Sequence, residues 1–432
     1  MTLGRMFAKA RKAASVLAML SCILSLATPS RGEEPAAQGP GAAPSAVPSA
    51  APSSGALFDF PVHGFLSLRY LGRFTDDDSD QDLLEIFSVD AGARERHRVT
   101  FHAYGRVTED IDGKSDKERF FVFDNITDTY KSSINARLYH AYLDVHRVPL
   151  LDVVRAGRQP IHDTPVLAYF DGGRLETHQL LGLRLKIGVY GGVPVHLFES
   201  SPGGDLLVGS FLQARPWKGG KARVDWMHAR DRTTLGTDRN DLFGASIWQD
   251  VGHDTQLHAR YTFLEDRSRD VLARGTYRNP DWDFALQGSY YELIEPQRDL
   301  ALELDPFFST AFDLSPYRQT RWLASKGFGE HFVLEAGFDL RRLKNASDEA
   351  TFNRDFERYF ISPSLQDLPL KGLSASLTGE MWDSRGRDIF SAGADLSYRV
   401  SEKLKASAGT FYSLYKYDYF ADRERNDVQT YY

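Results

Sequence analysis

Charged side chains in this sequence recur at every second position. Asp254–Asp266 reads DTQLHARYTFLED, with Gln256, His258, Arg260 and Thr262 on one parity and Leu257, Ala259, Tyr261 and Phe263 on the other. In Phe332–Arg341, Glu335, Asp339 and Arg341 oppose Phe332, Leu334, Ala336, Phe338 and Leu340. Along a strand, residues two apart point to the same side, so each segment has a wet face and an oily one. The wet set comprises Arg69, His102, Arg106, Arg223, Asp225, Arg260, Arg274, Arg278, Glu335, Asp339, Arg341, Asp395 and Arg399. A wall carrying both signs of charge can pass and sort hydrophilic solutes and ions.

Covalent chemistry has weaker support. The twelve histidines, among them His102, His140, His146, His162, His178 and His258, are scattered. None sits in an H-E-x-x-H spacing, and no G-x-S-x-G elbow occurs. Asp76, Asp77, Asp78, Asp80 and Asp82 could offer Ca²⁺ oxygen ligands, but the glycine and closing glutamate of an EF-hand are misplaced. A solvated loop is the simpler reading, with ion bridges to lipopolysaccharide as a modest variant. No CxxCH is present, which excludes covalently attached haem. The chain reads as a non-enzyme with no catalytic residues, no metal site and no cofactor.

The elements that must position the wet face are strands. Alternating segments recur from about Val62: Val62–Leu71, His97–Thr108, Ser133–His146, Lys221–Asp231, Val271–Arg278, Trp282–Tyr291, Phe332–Arg341, Leu373–Met381, Ile389–Val400 and Leu404–Leu414. Arg174–Gly191 is either one long strand or a hairpin. Tight connections (Val148-Pro149, Lys218-Gly219-Gly220, Gly252-His253-Asp254, Asn279-Pro280-Asp281, Gly329-Glu330-His331, Ser401-Glu402-Lys403) alternate with longer polar ones (Gly72–Asp82, Glu109–Lys131, Gln159–Phe170, Gly192–Asp205, Thr233–Asp241, Leu293–Ser315, Lys344–Thr351). That sorting places tight turns at one rim and long loops at the other. No long stretch of helical period follows the N-terminus. The expected fold is all-β: a transmembrane antiparallel up-and-down barrel of about 18–22 strands. Tyr70, Trp226, Tyr277 and Trp282 near strand ends resemble interfacial aromatic girdles.

Targeting agrees with that fold. Arg5, Lys9, Arg11 and Lys12 precede the apolar run Ala13–Leu26, and Ser25-Leu26-Ala27 suits cleavage. Residues 1–27 therefore read as a secretory signal peptide, 28–57 as a Pro/Ala/Ser-rich periplasmic linker, and 58–432 as an outer-membrane barrel of a Gram-negative bacterium. Lipidation at Cys22 is disfavoured, because the apolar run continues past it. Removing the leader's four basic residues leaves 48 against 59 acidic ones, about −11, and no cysteine. Nucleic acid is an unsuitable partner for so acidic a chain.

One motif carries a resemblance. In VRAGRQPIHDTPVLAYFDGGRLE (Val154–Glu176), Gly157, Arg158 and Gln159 end a strand, and Asp171 and Gly172 open the return strand, followed by Arg174. This GRQ…DG hairpin resembles Gram-negative porin-like barrels, which implies passive diffusion of small hydrophilic solutes or ions. Arg158 and Arg174 would then point to the mouth or lumen, although a hairpin that merely packs the barrel is the favoured role. Glu109–Lys131, with Phe120, Phe121 and Phe123, and Leu293–Ser315, with Phe307 and Phe308, compete as the loop that narrows the channel. In size, export signal and lack of cysteine the chain is also similar to porin-like sheaths around multihaem cytochromes. Expected partners are therefore outer-membrane lipid and lipopolysaccharide, small solutes, and either a second copy or a cytochrome. Lys403–Phe420 is an outgoing strand, and Val428–Tyr432 starts a return that stops short. The expectation is a barrel missing its closing strand or strands.

Overall fold

The barrel unit is Pro61–Tyr432. The computed structural model describes residues 60–74, 79–112, 133–161, 168–180, 182, 184–195, 204–232, 237–295, 315–349, 353–384, 388–415 and 427–432. Its strands are β1 (Val62–Phe74), β2 (Ser79–Ala91), β3 (Val99–Asp110), β4 (Ile134–Val145), β5 (Leu151–Ile161), β6 (Ala168–Thr177) and β7 (Lys186–Pro194). There follow β8 (Leu206–Ala214), β9 (Gly220–Arg232), β10 (Thr237–Val251), β11 (Thr255–Leu264), β12 (Arg267–Asn279), β13 (Phe284–Leu293) and β14 (Tyr317–Phe328). The last are β15 (Phe332–Leu343), β16 (Phe356–Gln366), β17 (Leu373–Asp383), β18 (Ile389–Arg399), β19 (Lys405–Tyr415) and β20 (Asp427–Tyr431). Every neighbouring pair is antiparallel, and together they form one 20-stranded sheet.

The sheet closes, which corrects the expectation of missing closing strands. Five-residue β20 pairs on one side with Thr410–Leu414 of β19 and on the other with Gly72–Phe74 of β1. Among the described residues, the rest of β1, from Val62 to Leu71, pairs only toward β2. Arg174–Gly191 is a hairpin, divided between β6 and β7, with Leu180 bridged to Leu185 in the turn.

The tight turns read from the sequence gather at one rim, although the shortest connection, Glu265-Asp266 between β11 and β12, lies at the other. Gly252 in the β10–β11 turn has φ +64°, a left-handed conformation that glycine adopts without a Cβ penalty. At the other rim, several expected loops are instead strand. Within Gly72–Asp82, β1 and β2 pair out to Phe74 and Ser79, where inner-facing Arg73 is bound to Asp80 and lies 3.4 Å from Asp82. Opposite charges facing each other across a ladder support extension of the hairpin. The two longest connections there are 111–133 and 294–316.

The register separates two faces all the way round. Large exposed apolar side chains, such as Leu257 (45% exposed), Phe338 (38%), Leu377 and Leu396, belong to one face. Buried polar ones, such as Asp144, Asp225, Asp270 and Asp339, belong to the other. In a closed barrel the concave side is the more covered, so the polar face is the inner one. Along β15 the outward residues run Phe332, Leu334, Ala336, Phe338 and Leu340 before the first charge, Arg342. At ~3.3 Å per residue that is roughly 30 Å of strand. With a tilt of about 40° its height approaches the ~25 Å apolar band of membrane barrels. Outward rings mark both ends of the band: Tyr277 and Phe284 near the turn rim, Tyr261, Phe263 and Tyr290 toward the loop rim.

Candidate functional site

The inner wall is built from cross-strand rows. One runs Lys221, Trp248, His258, Arg274, Ser289, Arg321, Asp339, Arg358 and Trp382, each directly opposite the next. The alternation puts Arg69, His102, Arg106, Arg223, Asp225, Arg260, Arg274, Arg278, Glu335, Asp339, Arg341, Asp395 and Arg399 on this same face, spread over the circumference. They form a lining, not a cluster.

Part of the inner wall is locally neutralised. Arg223, almost fully buried, lies 2.7 Å through Nη2 and 2.9 Å through Nε from Asp225 Oδ1, with its guanidinium 3.8 Å from the Phe211 ring centre. Arg155 forks onto Asp144 at 2.6 and 2.8 Å. Glu176 takes Arg174 and Lys186, each at 2.5 Å. Asp270 receives Arg269 at 3.0 Å and Arg260 at 3.5 Å, and Glu380 receives Arg358 at 2.7 Å. Desolvated charges persist only when partnered in this way. Other inner arginines, among them Arg69, Arg106, Arg341 and Arg399, make no ion pair among the described residues, and three more of this kind face the bore on β12 and β14. Arg274 donates to Gln287 at 2.9 Å, not to a carboxylate, and Arg278 and Arg321 make no ion pair among the described residues. Asp339, opposite Arg321, instead accepts from Gln319 at 2.8 Å. These strands carry arginines without an ion pair, next to Asp339 and Glu335 on β15, which have none either.

Two inner patches are aromatic or apolar. On β3 and β4, His102, Tyr142, His140, Tyr104 and Tyr139 make ring contacts of 5.0–5.6 Å. A register shift at Tyr104/Gly105 brings both Tyr139 and His140 beside Tyr104. His102 Nδ1 lies 2.6 Å from Asp90, and Thr100 Oγ1 lies 2.9 Å from His146 Nε2. His146 sits in the turn after β4, and its pKa lies below the ordinary histidine range, chiefly through burial. Nearer the loop rim, Ile161, Phe170, Leu207, Met227, Leu242 and Leu264 form a buried apolar stretch across β5–β11. The wet/oily alternation did not anticipate inner-facing apolar residues.

The GRQ…DG hairpin forms one hydrogen-bonded unit. Gly157 pairs with Gly172, and Arg158 with Asp171. Gly157 has φ +121°, and a Cβ there would meet Ala141 O at 2.4 Å. The β4–β5 ladder covers only Ala141–Asp144 with Arg155–Arg158, although both strands run on. Where it stops, Arg158 reaches across: Nη1 donates to Leu138 O at 3.2 Å while Asp171 holds the fork at 2.8 and 2.9 Å. Gln159 Nε2 donates to Gly172 O at 3.2 Å. Arg174 faces inward, but Arg158 and Asp171 stand on the outer face, opposite Ala141 and Val193. The expectation that Arg158 points to the lumen is therefore corrected: its parity follows Ala141, not Tyr142.

Arg321 is the main inner residue that the sequence pattern missed. Its strand, YRQTRWLASKGF, carries inner-facing Leu323 among the polar positions, which blurs the alternation. Asp80 and Asp82, expected in a solvated loop, are buried strand residues on β2. Asp76, Asp77 and Asp78, Phe120, Phe121 and Phe123, and Phe307 and Phe308 lie outside the described residues, and so does His162. Among the described residues no helix is long and apolar enough to cross a membrane, and no group of His, Cys, Asp and Glu is placed to hold a metal ion.

No family model matches the chain, and no curated protein matches it. Several solved structures are similar. One is the crystal structure of Pseudomonas aeruginosa OccK3 (OpdO), at 14% identity over 86% of this chain and 93% of that one, with a TM-score of 0.47. Another is Acinetobacter baumannii OccAB3, at 11% identity over 86% and 98%, TM-score 0.48. A third is a BenF-like porin from Pseudomonas fluorescens Pf-5, at 13% identity over 86% and 98%, TM-score 0.48. At such identities, what those proteins carry is their own property.

Proposed function

We propose that the chain is an outer-membrane channel through which small hydrophilic solutes and ions diffuse passively. One observation carries this reading: around a closed 20-stranded sheet the register puts the large exposed apolar side chains mainly outside and the buried charged ones inside. A sheet can cross hydrocarbon only when closed, because each unpaired backbone group would cost several kcal/mol there. Barrels of about 16–18 strands already leave an aqueous bore, so one of this size has room for water and solute. The leader, the linker and placement in the outer membrane belong to the same proposal, since an aqueous barrel with an export signal suits that bilayer.

The arginines of β12 and β14 support a preference for anions. Arg274, Arg278 and Arg321 face the bore without an ion pair among the described residues, although Asp339 stands opposite Arg321, and such charges raise the local concentration of counter-ions. The decisive experiment is reconstitution of the purified chain in planar bilayers. Discrete, reproducible conductance steps support the channel. Erratic or very large currents that settle only when a cytochrome is added would replace it with the sheath, and no current from inserted protein would overturn both.

A further inference from the structure

Above the aromatic band on the outer face of β9 and β10 lies a group of arginines that make no ion pair among the described residues, although the Asp205 carboxylate accepts from the Arg232 amide at 2.9 Å. Arg230 and Arg239 are directly opposed across the ladder, and Arg232 follows Arg230 on the same parity. All three are exposed. Like charges facing one another across a ladder repel, so the arrangement is costly unless an anion sits between them. The outward carboxylate on these strands, Asp241, is already engaged: Trp226 Nε1 donates to it at 3.1 Å, and His228 Nδ1 lies 3.2 Å away. Glu265 and Asp266 lie in the β11–β12 turn, where the Glu265 amide donates to the Asp241 carbonyl. Arg230 is oriented by a neutral group, since its Nε donates to Gly204 O at 2.9 Å and Nη2 bonds the same carbonyl. Its fork is thus fixed without being neutralised.

Height selects the ligand. Beneath the arginines the outward residues are Trp226 and Phe243, which pair across the same ladder, with exposed Leu206 opposite Arg230 on β8. Aromatic rings of this kind sit at headgroup depth, so the guanidinium groups stand beside the headgroups of the leaflet at the loop rim. Planar guanidinium forks match phosphate oxygens in bidentate fashion. We infer that Arg230 and Arg239, with Arg232, bind the phosphate of an outer-leaflet glycolipid against the outside of β9 and β10. This rests on the membrane placement proposed above.

The test uses the full chain extracted into detergent and mixed with phosphatidylcholine vesicles containing lipid A, with retained lipid A measured per barrel after delipidating washes. Arg230→Ala with Arg239→Ala is expected to lower retention about tenfold, the effect of losing a charge-assisted hydrogen bond or more. Arg342→Ala, which removes an outward arginine already bound to Glu357, should leave retention unchanged. Folding of each variant is checked by its gel shift on heating and by its channel steps. Wild-type retention in the double variant, with channel steps intact, overturns the inference alone. Displacement of lipid A by millimolar inorganic phosphate would also overturn it, marking a site for free anions. Retention dependent on Arg230 and Arg239 in a barrel that never conducts would leave this site standing and remove the channel.

Discussion

Arg158 illustrates how one side chain substitutes for a missing piece of backbone ladder. The β4–β5 pairing ends at Ala141 and Arg158, and the guanidinium spans the gap to Leu138 O while anchored on Asp171. Charge-assisted bonds of this sort contribute about 1.5–3 kcal/mol each when the partner is otherwise left bare. Arg158→Ala is expected to lower the temperature of the heat-induced gel shift, and Asp171→Ala to do the same. The double variant should lose less than the sum, because one interaction is removed in both. Full additivity would mean that the two residues act independently. Conductance should change little, since both stand outside the bore.

At the scale of the strand, the two faces predict opposite consequences for the same chemical change. Phe338→Arg places a charge on the outward face of β15, where it costs roughly 2–4 kcal/mol at mid-membrane depth, so little heat-modifiable barrel should accumulate. Glu335→Arg, three residues away on the inner face, should assemble normally and shift ion selectivity toward anions. Equal yields from the two variants would refute the assignment of faces. This two-residue period is what the sequence displayed most clearly, because in Leu257–Phe263 each face is chemically uniform and in Phe332–Arg341 the oily face is. It failed where geometry departs from plain alternation. A register shift at Tyr104/Gly105 moves Tyr139 in beside His140. Leu323 hides the row to which Arg321 belongs. Asp80 and Asp82 read as loop because acidic runs favour solvent, yet Arg73 across the ladder makes them strand.

For the molecule as a whole, selectivity is a sum over the circumference. The candidate lining residues were legible as types, but not which of them are cancelled, because pairs such as Arg155–Asp144 and Arg358–Glu380 join different strands. The unpaired arginines of β12 and β14 are expected to contribute to the sign. Arg274→Gln with Arg321→Gln should move the reversal potential in a salt gradient toward that of an unselective pore, with single-channel conductance altered by less than about twofold. An unchanged reversal potential would place selectivity elsewhere.

Closure of the ring has a mechanical consequence. Among the described residues, only Gly72–Phe74 of β1 meet β20, so amides on that flank of β1 below Gly72 have no interstrand partner among them, whereas β12 and β13 are paired on both sides. Thermal breathing is expected to start at that less-paired flank. Deuterium uptake at Val62–Leu71 is expected to outpace uptake at Leu272–Tyr277, whose strand is bonded on both sides.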